Sequence, residues 1–298
     1  MIIALERSTA VPLIHYFMGQ GWRWGQNLFL MEDFLEWHLK PYLFFHENKI
    51  YMENLTICVS KNCTLKCREC SQRMPHQKIK EMYNLDVLTA DIDRLFTKID
   101  FINSLAITGG EPLLFRDLDR YLEYMMRHYG NQIGSVRVVS NGTLIPNDKL
   151  LDTAHRYHIL FEITKYSNDM VKTDQLRKIC CKKDVPFVEN IHEHWFKMWR
   201  EQKRESGNNN LFEQCICHSH CDGYIDGRLT KCLCAYMAGM SFGELDTADY
   251  LEFRKDIPKE IVFEYLWGYT EKGHLSACEM CNGLYGINTD YVTPGEQI

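Results

Sequence analysis

The chain has 298 residues, 45% of them hydrophobic and 25% charged, and a formal net charge of −6 at pH 7. That length can bury a substantial core, and the acidic balance argues against a nucleic-acid binder that works by bulk electrostatics. No run is long and apolar enough to span a bilayer, and Glu6 and Arg7 break any signal-peptide layout. The expectation is a cytoplasmic protein with neither a membrane nor a nucleic-acid partner.

In chain order, residues 1–52 read as a helical extension. Asn27 to Tyr42 has a broad apolar face at helical spacing, and Pro41 should end or kink it. A helix plugging one end of a barrel is the plainer expectation for this segment, ahead of a substrate cap. From Glu53 a strand–helix rhythm begins. Strands are expected at Leu55–Val59, Ile102–Thr108, Ser135–Val139, Ile159–Thr164 and Pro186–Ile191. Helices are expected at Leu85–Ile99, Leu118–His128, Asp148–Tyr157 and Val171–Cys181. Such alternation implies parallel pairing through right-handed crossovers, with chemistry in the loops after the strands. Apolar strand residues such as Ile57, Ile107, Val139 and Ile163 are candidates for the barrel lining. Lys197 to Arg204 reads as a solvated helix face. At Ser206-Gly207-Asn208-Asn209-Asn210 the rhythm stops in a polar linker. The fold class expected is α/β: a partial (β/α)6 TIM-type barrel over 53–205, followed by a small cysteine-rich domain over 206–298. The tail from Val292 to Gln297 carries no signal.

Thirteen cysteines is a high and odd number. In a reducing compartment that favours metal binding or catalysis over disulfides. They gather as Cys63, Cys67 and Cys70; as Cys215, Cys217, Cys221, Cys232 and Cys234; and as Cys278 and Cys281. Cys58, Cys180 and Cys181 stand apart as packing residues. Three thiolates at four- and three-residue steps after a strand suit a soft metal or an iron–sulfur cluster. Structural zinc wants four ligands, and this triplet has no local fourth. One iron of a cubane would then lack a protein partner. Gly109-Gly110-Glu111-Pro112, after the second strand, lets the backbone approach a ligand closely, with Glu111 suited to an ammonium group. Ser140-Asn141-Gly142, after the third, offers hydroxyl and amide groups for a ribose or carboxylate, or an Asx turn.

Taken together, Cys-x3-Cys-x2-Cys, Gly-Gly-Glu-Pro and Ser-Asn-Gly in this order resemble the radical S-adenosylmethionine (radical SAM) enzymes, over residues 53 to about 190. The resemblance implies that Cys63, Cys67 and Cys70 ligate a 4Fe–4S cluster whose open iron takes the amino and carboxylate groups of SAM. It implies SAM contacts from Gly109, Gly110, Glu111, Pro112, Ser140 and Asn141, with Lys165 after the fourth strand as a further carboxylate partner. Reductive cleavage of SAM would give a 5′-deoxyadenosyl radical that abstracts a hydrogen atom from the substrate. A low-potential electron donor such as flavodoxin or ferredoxin is implied as a partner. The residue before the third cysteine is commonly aromatic in that family; here it is Glu69, so an apolar contact to adenine must come from elsewhere.

The C-terminal cysteines resemble the twitch domain, the shortened SPASM domain that binds an auxiliary 4Fe–4S cluster. The resemblance implies Cys232, Cys278 and Cys281 as ligands, completed by Cys215, with Cys217, Cys221, His218 and His220 as alternatives. A four-cysteine zinc site can draw on the same thiolates. Cys234 is left over as a candidate hydrogen donor or a buried small residue. Three functions are expected in this order: oxidation or epimerisation of a small polyol, sugar or aminocyclitol; maturation of a ribosomally made peptide; and a zinc-binding interaction protein without chemistry.

Overall fold

The structure, a computed structural model, describes residues 1–78, 83–166, 171–204, 209–216, 221–268, 272–284 and 287–298. It divides into two compact units, Met1–Tyr51 and Met52–Ile298. In the first unit, β1 (Ile2–Ile3) pairs in parallel with β2 (Phe29–Leu30), and a helix spans Arg7–Gly19. Ile3, Ala10, Leu28 and Leu30 form its buried cluster. The single helix expected over Asn27–Tyr42 is replaced by β2 and a helical run from Met31 to Glu47, with a π turn at Leu35–Leu39. Pro41 neither ends nor breaks that run. It lies in the first turn of Lys40–Glu47, where a missing N–H is tolerated, and the wider π turn precedes it.

The second unit is built on one eight-stranded sheet. Its strands are β3 (Tyr51–Cys58), β4 (Phe101–Thr108), β5 (Ile133–Ser140), β6 (Leu160–Lys165) and β7 (Phe187–Ile191), with β9 (Gly223–Ile225), β10 (Arg228–Thr230) and β11 (Leu251–Glu252). The spatial order is β11-β10-β9-β3-β4-β5-β6-β7. Pairs β4–β5, β5–β6, β6–β7 and β3–β9 are parallel. The connections are the helices Leu85–Phe96, Leu118–Tyr129, Asp148–Arg156 and Thr173–Lys182. Asn84 and Asn147 start the first and third of these by accepting backbone N–H groups with their side chains. The strand faces and helix stripes meet in a core of Leu88, Ile92, Leu95, Leu105, Ile107, Val138, Phe161 and Ile163, all almost solvent-free. This is the parallel-rich α/β sheet that the strand–helix rhythm implies.

The segment after the linker is built onto that same sheet. β9 lies beside β3, Thr56 N–H donates to the Asp222 carbonyl at 2.9 Å, and the hairpin β9–β10 turns at Asp226-Gly227. Both turn residues have positive φ, 55° and 71°, as a two-residue hairpin of matching twist requires. The expected boundary near 205–206 lies outside the described residues. What is described from Cys221 onward shares the unit of the parallel strands, because β9 continues their hydrogen bonding. A separate ribbon, β8 (Trp195–Phe196) with β12 (Tyr291–Val292), is antiparallel.

Candidate active site

The turn after β3 carries Cys63, Cys67 and Cys70, and its position is fixed by the glycine pair after β4. Gly110 N–H donates to the Ser60 carbonyl at 2.7 Å and Glu111 N–H to the Asn62 carbonyl at 2.8 Å. A β-carbon on Gly109 would stand 2.3 Å from Ser60 O, and one on Gly110 2.2 Å from Asn62 O. Only glycine admits such contact, so the pair serves the cysteine loop as directly as it serves any ligand.

Glu111 departs from the expected ammonium contact. Its carboxylate is buried and accepts the Ser140 hydroxyl at 2.8 Å, Asn141 N–H at 2.9 Å and Leu113 N–H at 3.1 Å. It staples the second strand-end loop to the third, and neither it nor Pro112 lines the cavity described below. Burial pushes the carboxyl up to about 7 from 4.5, the three donors opposing the shift. The folded protein therefore holds this proton more tightly than the unfolded chain. The group's contribution to stability falls as pH rises from about 4.5 to about 7 and is level above that. Glu111→Gln is expected to cost about 1–3 kcal/mol, because an amide NH2 would face one of the three donors, and to remove that pH slope. Thermal melts between pH 4.5 and 8 check both.

Asn141 ties the third loop to the first: its Nδ2 donates to Thr64 Oγ1 at 3.0 Å and to Cys63 Sγ at 3.5 Å, while its Oδ1 accepts Thr143 N–H at 3.0 Å. The Asx geometry and the site contact thus coexist. Cys63, Cys67 and Cys70 line one cavity of about 340 Å³ with Gly109, Gly110, Ser140 and Asn141. Each sulfur is met by donors: Leu65 N–H and Asn141 at Cys63, Gln297 at Cys67, and backbone groups of Gln72, Arg73 and Met74 at Cys70. Burial pushes all three thiols up, Cys63 to about 11, so the isolated site favours neutral thiols until a cationic group replaces the protons. Room beside three donor-surrounded sulfurs fits a cluster with space for a co-ligand.

Lys165 lies outside the cavity. It is paired with Glu189 at 3.4 Å, and Arg177 also bonds that carboxylate. Successive residues of β6 alternate sides, so Thr164 and Tyr166 line the cavity and Lys165 cannot. Tyr166 places an aromatic ring on the cavity wall, which Glu69 does not. Burial raises its hydroxyl pKa, and the sulfurs of Cys67, Cys70 and Cys63 act in the same sense. Val139 lines the cavity, whereas Ile57, Ile107 and Ile163 are core. The far wall, absent from the sequence reading, is His192, His194, Trp195, Phe196 and Met198. They follow β7, where the strand-end rule places chemistry.

A second, apolar cavity is lined by Cys215, Cys232, Cys278 and Cys281, with Met198, Trp199 and Phe212. Cys232 starts the helix Leu233–Phe242 and accepts Ala235 N–H at 3.3 Å; Cys281 accepts Gly283 N–H at 3.2 Å. Cys278 is also met by a backbone group of Leu275, and four thiols with such donors around them fit an anionic-sulfur ligand set. Among the described residues no three His, Cys, Asp or Glu side chains converge on one point as a single metal ion requires. A four-thiol set suits either one zinc ion or a cubane that seats each sulfur on a separate iron. Cys221 packs against the same core without lining the cavity, and Cys217, His218 and His220 lie outside the described residues. Cys234 faces the first cavity, its thiol hydrogen-bonded to the side chains of Cys232 and Ser71. The solvated helix expected over Lys197–Arg204 is instead an extended segment. Trp199 is buried and pairs with Cys281, Arg200 N–H donates to Met280 O, and the Trp199 indole N–H reaches Ser71 O at 2.9 Å. The apolar Met198 and Trp199 outweigh the flanking charges, and the segment braces the second cavity.

Residues 57–187 match the model of the radical SAM superfamily. The chain is similar to a GTP 3′,8-cyclase of Sulfurovum sp. (strain NBC37-1), 30% identical over 98 residues, which are 32% of this chain and 28% of that protein. It is also similar to molybdenum cofactor biosynthesis protein 1 of Dictyostelium discoideum, 26% identical over 129 residues, 42% of this chain and 19% of the relative. The chain thus spans less than a third of the length of these curated relatives. A crystal structure of BtrN in complex with AdoMet and 2-DOIA aligns over 84% of this chain and 98% of its own, with a TM-score of 0.54 at 15% identity, a likeness of fold. No helix among the described residues is long and apolar enough to cross a membrane. Motif order, loop geometry and family model agree that residues 57–187 form a radical SAM superfamily domain.

Proposed function

We propose that the protein is a radical SAM enzyme with two clusters that oxidises or epimerises a small polyol, sugar or aminocyclitol. The observation that carries it is the cavity shared by Cys63, Cys67 and Cys70 with Gly109, Gly110, Ser140 and Asn141. When bound there, a 4Fe–4S cluster and SAM supply a 5′-deoxyadenosyl radical, and a second cluster at Cys215, Cys232, Cys278 and Cys281 supplies an acceptor for an electron. The chain's own groups do the rest. The glycine pair and Asn141 hold the cysteine loop, and Tyr166 offers an aromatic face beside the three sulfurs. Val139, Met198 and Leu284 exclude water from the cavity that a radical would occupy. His192 and His194 provide donors and acceptors, and Trp195 an apolar face, which together suit the alternating C–H and O–H surface of a polyol ring. Cys234, facing the same cavity, is the candidate hydrogen donor for an epimerisation. The fold likeness to BtrN, a chain solved with AdoMet and 2-DOIA, supports the small-molecule class. A flavodoxin or ferredoxin is proposed as the reductant.

The deciding experiment is a product assay. Anaerobically reconstituted, reduced protein is given SAM and a panel of polyols, sugars and aminocyclitols. The expected result is 5′-deoxyadenosine together with a product lacking two hydrogens, or an epimer that takes up solvent deuterium. A panel left unmodified while a precursor peptide changes mass would move the assignment to peptide maturation.

A further inference from the structure

Residues 291–298 touch the candidate site at both ends. β12 pairs with β8, whose Trp195 and Phe196 line the cavity. Further along, the chain runs antiparallel to the cysteine loop with Gln297 opposite Cys67. Arg68 N–H donates to the Glu296 carbonyl at 2.8 Å, and Ile298 N–H to the Lys66 carbonyl at 3.0 Å. Between the two contacts Gly295, at φ 70°, lies against the Tyr166 ring, where a β-carbon would come within 2.8 Å.

The Gln297 side chain completes the contact. Its Oε1 accepts Lys66 N–H at 2.7 Å, and its Nε2 donates to Cys67 Sγ at 3.3 Å and to the Gly295 carbonyl at 2.6 Å. Lys66 N–H can only donate and the Gly295 carbonyl can only accept, so the amide has one orientation, with its NH2 toward the sulfur.

We propose that Gln297 is a positioning residue for the cluster loop, holding the Lys66–Cys67 peptide and delivering an N–H to the Cys67 sulfur so that the SAM-binding cluster is easier to reduce. This rests on the reading of Cys63, Cys67 and Cys70 as cluster ligands. Reduction adds negative charge to the cluster and its sulfurs, and a donor held against one of them stabilises the reduced state more than the oxidised one. The strap also links the substrate-facing ribbon to the cluster loop through a single short segment.

The test compares wild type, Gln297→Glu and Gln297→Ala as the reconstituted 298-residue chain. Glu keeps an oxygen for Lys66 N–H but turns a carboxylate oxygen toward both Cys67 Sγ and the Gly295 carbonyl; Ala removes all three side-chain bonds. A redox titration followed by electron paramagnetic resonance reads the cluster whose signal changes when SAM is added. Both variants are expected to shift its midpoint to more negative potential. At a fixed potential the ratio of reduced to oxidised cluster should fall roughly threefold in Ala and further in Glu. In cluster-free wild type, the Lys66, Arg68 and Ile298 amides are expected to exchange at least ~10-fold more slowly than unbonded loop amides. Loss of the cluster from a variant whose melting temperature is unchanged also supports the role. A SAM-responsive cluster whose midpoint moves in neither variant, or unprotected amides in the wild type, overturns the Gln297 assignment alone. A wild type that holds iron but no SAM-responsive cluster overturns the underlying ligand reading instead.

Discussion

Replacing Gly110 by Ala is expected to destabilise the protein by about 3 kcal/mol or more and to empty the first cluster site. The new methyl would stand 2.2 Å from Asn62 O, 2.6 Å from Asn62 C and 2.9 Å from Cys63 Cβ, and the nearest two are backbone atoms that cannot rotate away. Relief requires moving the Asn62–Cys63 peptide, and that movement breaks the Gly110–Ser60 and Glu111–Asn62 hydrogen bonds that set the loop. Iron should fall from about eight to about four per chain, with cleavage of SAM reduced at least ~100-fold. Gly19, where an added β-carbon meets nothing within 4 Å, supplies the control, and Gly19→Ala should change stability by no more than about 0.5 kcal/mol. Iron analysis, melting curves and 5′-deoxyadenosine formation check the pair.

The double variant Cys278→Ala, Cys281→Ala is expected to separate radical generation from product formation. Both thiols lie at the second cavity with Cys215 and Cys232, and burial first, then the neighbouring cysteines, push the Cys278 thiol well up. Cys232 is left in place because it also starts the helix Leu233–Phe242, and its loss would confound the result. About four irons should disappear while the SAM-responsive signal persists. The variant should still form 5′-deoxyadenosine but yield at least ~100-fold less oxidised product. Unchanged iron, or stoichiometric zinc in the wild type, would refute the auxiliary cluster.

Much of the sheet was legible because its signals are local. Apolar alternation and helix spacing marked β4, β5 and the helices within a few residues, and the strand-end rule drew attention to the cysteine, glycine and Ser-Asn-Gly loops together. What escaped depends on contacts distant in sequence or on one-residue alternation. Lys165 enters the sequence reading by its charge and its place after the fourth strand, whereas period-two alternation puts Thr164 and Tyr166 on the cavity side. Glu111 reads as an ammonium ligand until its three donors are seen, two of them from a loop some thirty residues on. The aromatic and histidine wall after β7 obeys the same strand-end rule as the other loops, so His192-Glu193-His194-Trp195 was a signal left unused. Gln297 carries no local signal for its role, since its partners in the cysteine loop, Lys66 and Cys67, lie 231 and 230 residues away. The same holds for Trp199, whose flanking charges suggest a solvated helix while its ring is buried near Cys281.

Cys63, Cys67 and Cys70 are expected to hold a cluster that SAM reaches, and electron paramagnetic resonance reads that site itself. Wild type and a Cys63→Ala, Cys67→Ala, Cys70→Ala variant are reconstituted anaerobically with iron and sulfide and reduced. Their electron paramagnetic resonance spectra are then recorded with and without SAM. The wild type is expected to show a reduced-cluster signal that changes on adding SAM, with 5′-deoxyadenosine formed. The triple variant should retain about four irons, show no SAM-dependent change and cleave no SAM. A triple variant that still responds to SAM, or a wild type that stays colourless and holds zinc, would exclude these three cysteines as the ligands of a SAM-binding cluster.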